Sequence, residues 1–197
     1  MRTHRTLLAL ALGLLTTAPA LAGHHQWDFS EAFSNKTGSV QFVELIGNAN
    51  NEAGLNGFTV TTGTNTFTFT SNCPSNLTLG KWVLLATAGF GSIPGGATPD
   101  YLIPSNFFVA NAGGTFNYAG GADIWVHGAV PADGYNSLKR NGTTSPNDPR
   151  NFAGAGGTVN LVSELPGMPR WGLILLVGAM LIAASVMLRR REATTIA

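Results

Sequence analysis

The run Gly57-Phe58-Thr59-Val60-Thr61-Thr62-Gly63-Thr64-Asn65-Thr66-Phe67-Thr68-Phe69-Thr70 changes polarity at nearly every residue. Phe67 and Phe69 fall on one side of an extended chain and Thr66, Thr68 and Thr70 on the other, the period of two that marks a half-buried strand. Gly57–Thr62 reads as the partner strand of Thr64–Thr70, with the hairpin turning at Thr62-Gly63. β-Branched and aromatic residues fit such a pleated surface, and no helical spacing competes with it.

Working outward, the same short β-rich runs recur between Gly, Asn and Pro clusters. Ser39–Ile46 (SVQFVELI) is apolar on both faces, and Lys81–Thr87 (KWVLLAT) reads as a buried strand. Asp100–Ile103, Gly114–Tyr118 (GTFNY) and Ala122–His127 (ADIWVH) follow, and Thr158–Val162 is placed to close the sheet. Short strands with turn signals about every ten residues predict an all-β, antiparallel sandwich in a single domain over 38–162. Residues 23–37 read as a linker in front of it. Three loops stand out: Ala88–Pro99, Pro131–Asn136, and the long irregular Asn141–Gly157.

The two ends carry address rather than fold. Residues 1–22 have a basic start (Arg2, Arg5), an apolar stretch Leu7–Leu15 and an A-x-A site at Ala20-Leu21-Ala22, the layout of a signal peptide helix cut before Gly23. At the other end, Trp171–Leu188 contains no charge and its only polar side chain is Ser185. That length is at the lower limit for crossing a hydrocarbon core of roughly 30 Å. The expectation is a linker with a short motif over 163–172, a transmembrane helix over 173–188 and a basic tail over 189–197. Arg189, Arg190 and Arg191 hold that tail on the cytoplasmic side, which leaves about 140 residues outside.

The net charge of +1 belongs to these ends. Between Gly23 and Leu165 five basic residues (Lys36, Lys81, Lys139, Arg140, Arg150) face nine acidic ones (Asp28, Glu31, Glu44, Glu52, Asp100, Asp123, Asp133, Asp148, Glu164), a balance of −4. A domain without a positive stripe has nothing with which to neutralise phosphates, so nucleic acid is excluded as a partner. Cys73 is the only cysteine, which rules out an internal disulfide. A quietly buried thiol is its expected state.

Two resemblances extend this reading. Leu165-Pro166, then Trp171-Gly172, an apolar helix and the arginine cluster resemble the IPTL-CTERM relatives of the PEP-CTERM sorting tails. The resemblance implies recognition by an exosortase-type membrane protease in a Gram-negative envelope. Gly167-Met168 and Pro169-Arg170 depart from the usual residues of that signature. Within the ectodomain, Phe42-Val43-Glu44-Leu45, Leu55-Asn56-Gly57-Phe58-Thr59-Val60, Phe67-Thr68-Phe69 and Lys81-Trp82-Val83-Leu84-Leu85 are similar to bacterial lamin-tail domains. So is Asn136-Ser137-Leu138-Lys139-Arg140 followed by Ser145-Pro146-Asn147. This second resemblance implies an immunoglobulin-like sandwich that serves as a non-catalytic module.

Among candidate sites, His24 and His25 carry the sharpest chemistry. A chain beginning Gly23-His24-His25 has an amine, two amides and an imidazole able to form a square-planar nitrogen site for Cu(II) or Ni(II). A flexible polar terminus is the ordinary alternative. His127, at a strand end, would need Ser137 and Asp123 or Asp133 beside it to act as a triad, and none of them stands in a nucleophile elbow. No calcium loop or zinc helix motif occurs, and no cofactor is expected. Glu44 is expected to pair with Lys139 or Arg140. Trp82 and Trp125 read as core, which leaves Trp27 as the exposed ring available for sugar stacking.

The reading is therefore an exported envelope protein, inner-membrane anchored facing the periplasm or sorted to the cell surface, with a structural or adhesion role. Carbohydrate or metal binding through Ala88–Pro99 and Asn141–Gly157 is the alternative. Hydrolysis of an unknown substrate stands third.

Overall fold

The computed structural model describes residues 23–162. The expected signal peptide, sorting motif, transmembrane helix over 173–188 and basic tail lie outside the described residues. Among the described residues no helix is long and apolar enough to cross a membrane.

The described residues are all-β and form two sheets. Ten strands run in the order β1 (Trp27–Ser34), β2 (Gln41–Gly47), β3 (Thr59–Thr61), β4 (Thr66–Thr68), β5 (Trp82–Thr87), β6 (Tyr101–Ile103), β7 (Gly114–Tyr118), β8 (Asp123–His127), β9 (Asn136–Lys139) and β10 (Thr144–Pro146). The larger sheet has the order β10-β9-β1-β2-β5-β6, and the smaller β4-β3-β7-β8. All pairings are antiparallel except β5 with β6. A parallel neighbour cannot follow a tight turn, and Ala88–Pro99 supplies the crossover.

The hairpin forms as its alternation predicts. Thr59, Val60 and Thr61 pair with Thr68, Phe67 and Thr66, and the Thr62 N–H donates to Asn65 O around Gly63 at φ 86°. Phe69 is buried while Thr66, Thr68 and Thr70 are exposed. Val60, Phe69, Phe116, Tyr118 and Trp125 of this side meet Phe29, Ala32, Val43, Leu45, Val83 and Leu85 of the larger sheet in one core. Phe116 is central, with ring centroids 5.5 Å from Phe29 and 5.7 Å from Trp125.

A second apolar cluster lies on the other face of the larger sheet. Phe33, Phe42, Leu84 and Ala86 pack there against Phe90, Ala97 and Val159, which come from loops. This is why β2 and β5 read as apolar on both faces while the hairpin alternates: one sheet is covered twice and the other once.

The structure corrects the sequence at three places. The supposed linker 23–37 contains β1, a central strand of the larger sheet, and Trp27 is fully buried with its indole N–H on Glu52 O at 2.7 Å. Thr158–Val162 forms no strand; Val159 is buried beneath the chain instead. Strand β10 lies inside the segment 141–157 read as loop, with Pro146 on the edge strand, where a missing N–H does no harm, and β9 forms where no strand was expected.

A bulge at Ser30 explains why β1 escaped notice. Phe29 pairs with Leu45 but the next partnership is Glu31 with Glu44, so the period slips by one. Trp27, Phe29 and Ala32 then face the inter-sheet core, and Glu31 and Phe33 face the other way. The Phe29 N–H is taken by Asp123 Oδ2 at 2.8 Å. The same carboxylate receives Arg140 in a two-pronged contact at 2.9 and 2.7 Å. Asp123 thus ties β8 of the small sheet to β1 of the large one. Replacing Asp123 with Ala is expected to cost about 2 kcal/mol, since it strands the Phe29 N–H and a guanidinium. Asp123→Asn keeps an acceptor and should cost less. Urea denaturation of both variants checks the order, and equal losses would contradict the clamp.

Candidate functional site

The densest polar chemistry among the described residues lies on the outer face of the larger sheet, under the segment 147–152. This segment crosses β1 and β2 without pairing as a strand. Its alternate N–H groups donate into three carboxylates. Asp148 N reaches Glu31 Oε1 at 3.0 Å, Arg150 N reaches Glu44 Oε2 at 2.6 Å, and Phe152 N reaches Asp100 Oδ2 at 2.9 Å. Pro149, which has no N–H, falls between the first two. Asn147 fastens the start of the strap, its Nδ2 donating to Val159 O and Tyr135 O and its Oδ1 accepting the Val159 N–H.

Glu31 and Glu44 stand opposite each other on β1 and β2, and both are almost fully buried. The pair has a single cation, Lys139, whose Nζ lies 2.6 Å from Glu31 Oε2. Glu44 is left with neutral donors, the Ser30 hydroxyl at 2.6 Å and the Arg150 N–H. Burial, reinforced by the charge on Glu31, pushes Glu44 up to about 8 in spite of those hydrogen bonds. Burial likewise raises Asp100, whose Oδ2 also accepts the Leu84 N–H.

The expected pairing of Glu44 with Lys139 or Arg140 is thereby corrected. Lys139 goes to Glu31 and Arg140 to Asp123. The sequence hid this because Glu31 sits in a strand whose alternation is broken by the Ser30 bulge. The visible signal was the N-D-P-R-N-F run, in which residues two apart can face one surface around a proline.

The other nominated residues are each committed elsewhere. The His127 ring stacks on Phe116 at 4.5 Å, and its Nδ1 lies 2.7 Å from Gly128 O. Ser137 Oγ donates to Ser145 O, and Asp133 accepts the N–H groups of Tyr135 and Asn136. With Asp123 on Arg140, the groups proposed for a triad are not brought together. Trp27, nominated for sugar stacking, is buried, as is Trp125; Trp82 lies under the Arg150 guanidinium at 4.8 Å.

Cys73 lines a cavity of about 250 Å³ with Ser71, Asp100, Tyr101 and Phe152. Burial, helped by Asp100, pushes its thiol up to about 12, so the reactive thiolate is suppressed. The two loops read as a contact surface also meet each other. Asn151 Nδ2 donates to Thr98 O, and Gly157 lies against Gly95. His24 and His25 do not belong to a loose terminus: the His24 ring stacks on Phe58 at 3.5 Å. Among the described residues no group of three or more His, Cys, Asp or Glu side chains is arranged to hold a metal ion.

No family model, curated protein or solved structure matches the chain.

The strap gives a signed pH dependence. Glu44 keeps its proton in the folded chain up to about 8 but releases it near 4.5 once unfolded. Between those values the folded chain binds more protons, so this group's contribution to stability falls as pH rises. The slope can reach about 1.4 kcal/mol per pH unit. Glu44→Gln reproduces the neutral acid, its amide donating to Ser30 Oγ while its carbonyl accepts from Arg150. The variant should be more stable than the native chain at pH 8, with a flatter pH profile by urea denaturation. An unchanged slope would remove Glu44 from the account.

Proposed function

We propose that this protein is an exported, non-catalytic module of the cell envelope, with a structural or adhesion role. In this reading residues 1–22 direct export and the tail from Leu165 to Arg191 anchors or sorts the product. The observation that carries it is the commitment of the chemically capable side chains. Glu31, Glu44 and Asp100 hold the strap, Asp123 and Arg140 join the sheets, and His127 and Ser137 bond to neighbouring backbone. Such polar contacts hold a sandwich together, and among the described residues they leave no nucleophile beside a base.

The finer assignment, an immunoglobulin-like sandwich related to lamin-tail domains, draws support from where the shared motifs fall. Phe42-Val43-Glu44-Leu45 lies on β2, and Asn136-Ser137-Leu138-Lys139 is β9. Ser145-Pro146-Asn147 leads into the strap. The motif residues Glu44, Lys139 and Asn147 are those that seat the strap or neutralise its anchors. Their occurrence together is what a common way of covering the sheet requires.

Intact mass and C-terminal peptide mapping of the protein from each envelope fraction test the export reading. A product cut near Leu165–Trp171 and recovered outside the inner membrane is the outcome for sorting to the surface. A chain running from Gly23 to Ala197 and confined to the inner membrane is the outcome for a plain anchor facing the periplasm. Recovery in the cytoplasm with residues 1–22 still attached would overturn both forms.

A further inference from the structure

The residues just before β1 are held in an unusual way. The Gly23 nitrogen donates to Asn51 O, and Gly23 O accepts the Gly54 N–H at 3.0 Å. His24 O accepts the Tyr118 hydroxyl at 2.7 Å. Both peptide units, Gly23–His24 and His24–His25, are thus gripped by their carbonyl oxygens. Among the described residues neither the His24 nor the His25 N–H donates a hydrogen bond. The His24 ring is engaged on Phe58, while His25 is exposed, its ring 3.7 Å from that of His24. The Glu52 carboxylate lies against Gly23 Cα, where any Cβ would have to push it aside.

An amine-and-amide chelate needs both of these amide nitrogens uncommitted, as they are here. In such a chelate the peptide nitrogens turn toward the metal and the carbonyl oxygens turn away from it. A hydrogen bond to a carbonyl oxygen withdraws electrons from its amide and eases loss of the N–H proton. We propose that the mature terminus is a square-planar site for Cu(II), with Ni(II) as the other ion of matching geometry. Its donors are the Gly23 amine, the His24 and His25 amide nitrogens and the His25 imidazole. The proposal rests on the export reading, because the amine exists only once the Ala22–Gly23 bond is hydrolysed. That hydrolysis places the hydroxyl of water on the Ala22 carbonyl and a proton on the Gly23 nitrogen. Metal binding then releases the ammonium proton and both amide protons, with no change in oxidation state. Glu52 beside Gly23 adds negative charge where the cation arrives.

The test uses the processed full-length chain purified from membranes, with its first residue read by intact mass, titrated with Cu(II) alone. One tightly held equivalent with the visible and electron paramagnetic resonance spectrum of four nitrogens in a plane is expected. His25→Ala should abolish that spectrum. Insertion of two serines between Ala22 and Gly23 keeps both imidazoles but moves His24 and His25 to the fourth and fifth positions, leaving none at the third, and should abolish it too. Thermal melts confirm that both variants are folded. A chain that begins at Gly23 yet binds no stoichiometric Cu(II), or whose spectrum survives either change, overturns the metal site and leaves export standing. A chain retaining residues 1–22 overturns export itself, and the site with it.

Discussion

Covering the larger sheet on both faces is the demand from which most of this architecture follows. Its inner face meets a second sheet, whose strands satisfy their own hydrogen bonds. The outer face is covered by irregular chain, and irregular chain brings unpaired N–H groups into apolar surroundings, at a cost of several kcal/mol in the worst case. Three carboxylates resolve this by accepting the strap at residues 148, 150 and 152. Side chains rising from the sheet do for the strap what a neighbouring strand does for an edge. Phe33, Phe42, Leu84 and Val159 are buried on that same face.

The same solution creates an electrostatic problem that the chain answers asymmetrically. Glu31 and Glu44 face each other across β1 and β2, and two buried carboxylates so placed cannot both ionise cheaply. Lys139, opposite Glu31 on β9, supports one charge. Glu44 avoids the second by keeping its proton, with Ser30 as its hydroxyl partner. Ser30 is also the bulge residue, so one irregularity in β1 does three things. It turns Glu31 toward the strap, brings a hydroxyl to Glu44 and frees the Phe29 N–H for Asp123.

These couplings explain which parts of the molecule could be read in advance. The hairpin and the strands β2, β5, β7 and β8 announced themselves because their side chains alternate cleanly or are uniformly apolar. Strand β1 did not, because a strict period of two would set Glu31 and Phe33 on the face of Trp27 and Phe29, and the bulge that resolves the conflict leaves no local mark. Strands β9 and β10 are polar and short, and owe their form to pairing, β9 with β1 and β10 with β9. The carboxylate row was illegible for another reason: its members lie far apart in sequence and converge only through sheet register. Individual fates such as the buried Cys73 followed from residue type, while the identity of each ionic partner required the register.

The management of the sheet edges follows the same economy. Both outer strands of the larger sheet are three residues long, and one of them ends in Pro146. On the smaller sheet β4 is equally short, and its turn is fixed when Asn65 donates to Asn106 O and Phe107 O. Only β8 presents a longer edge with exposed apolar side chains, Ile124 and Val126. There Arg140, held by Asp123, also reaches Ile124 O, setting a positive charge against the open backbone. Short strands, a proline and a fixed charge are the devices that discourage edge-to-edge pairing between copies. The contact that clamps the two sheets together therefore also guards the edge most exposed to a neighbour.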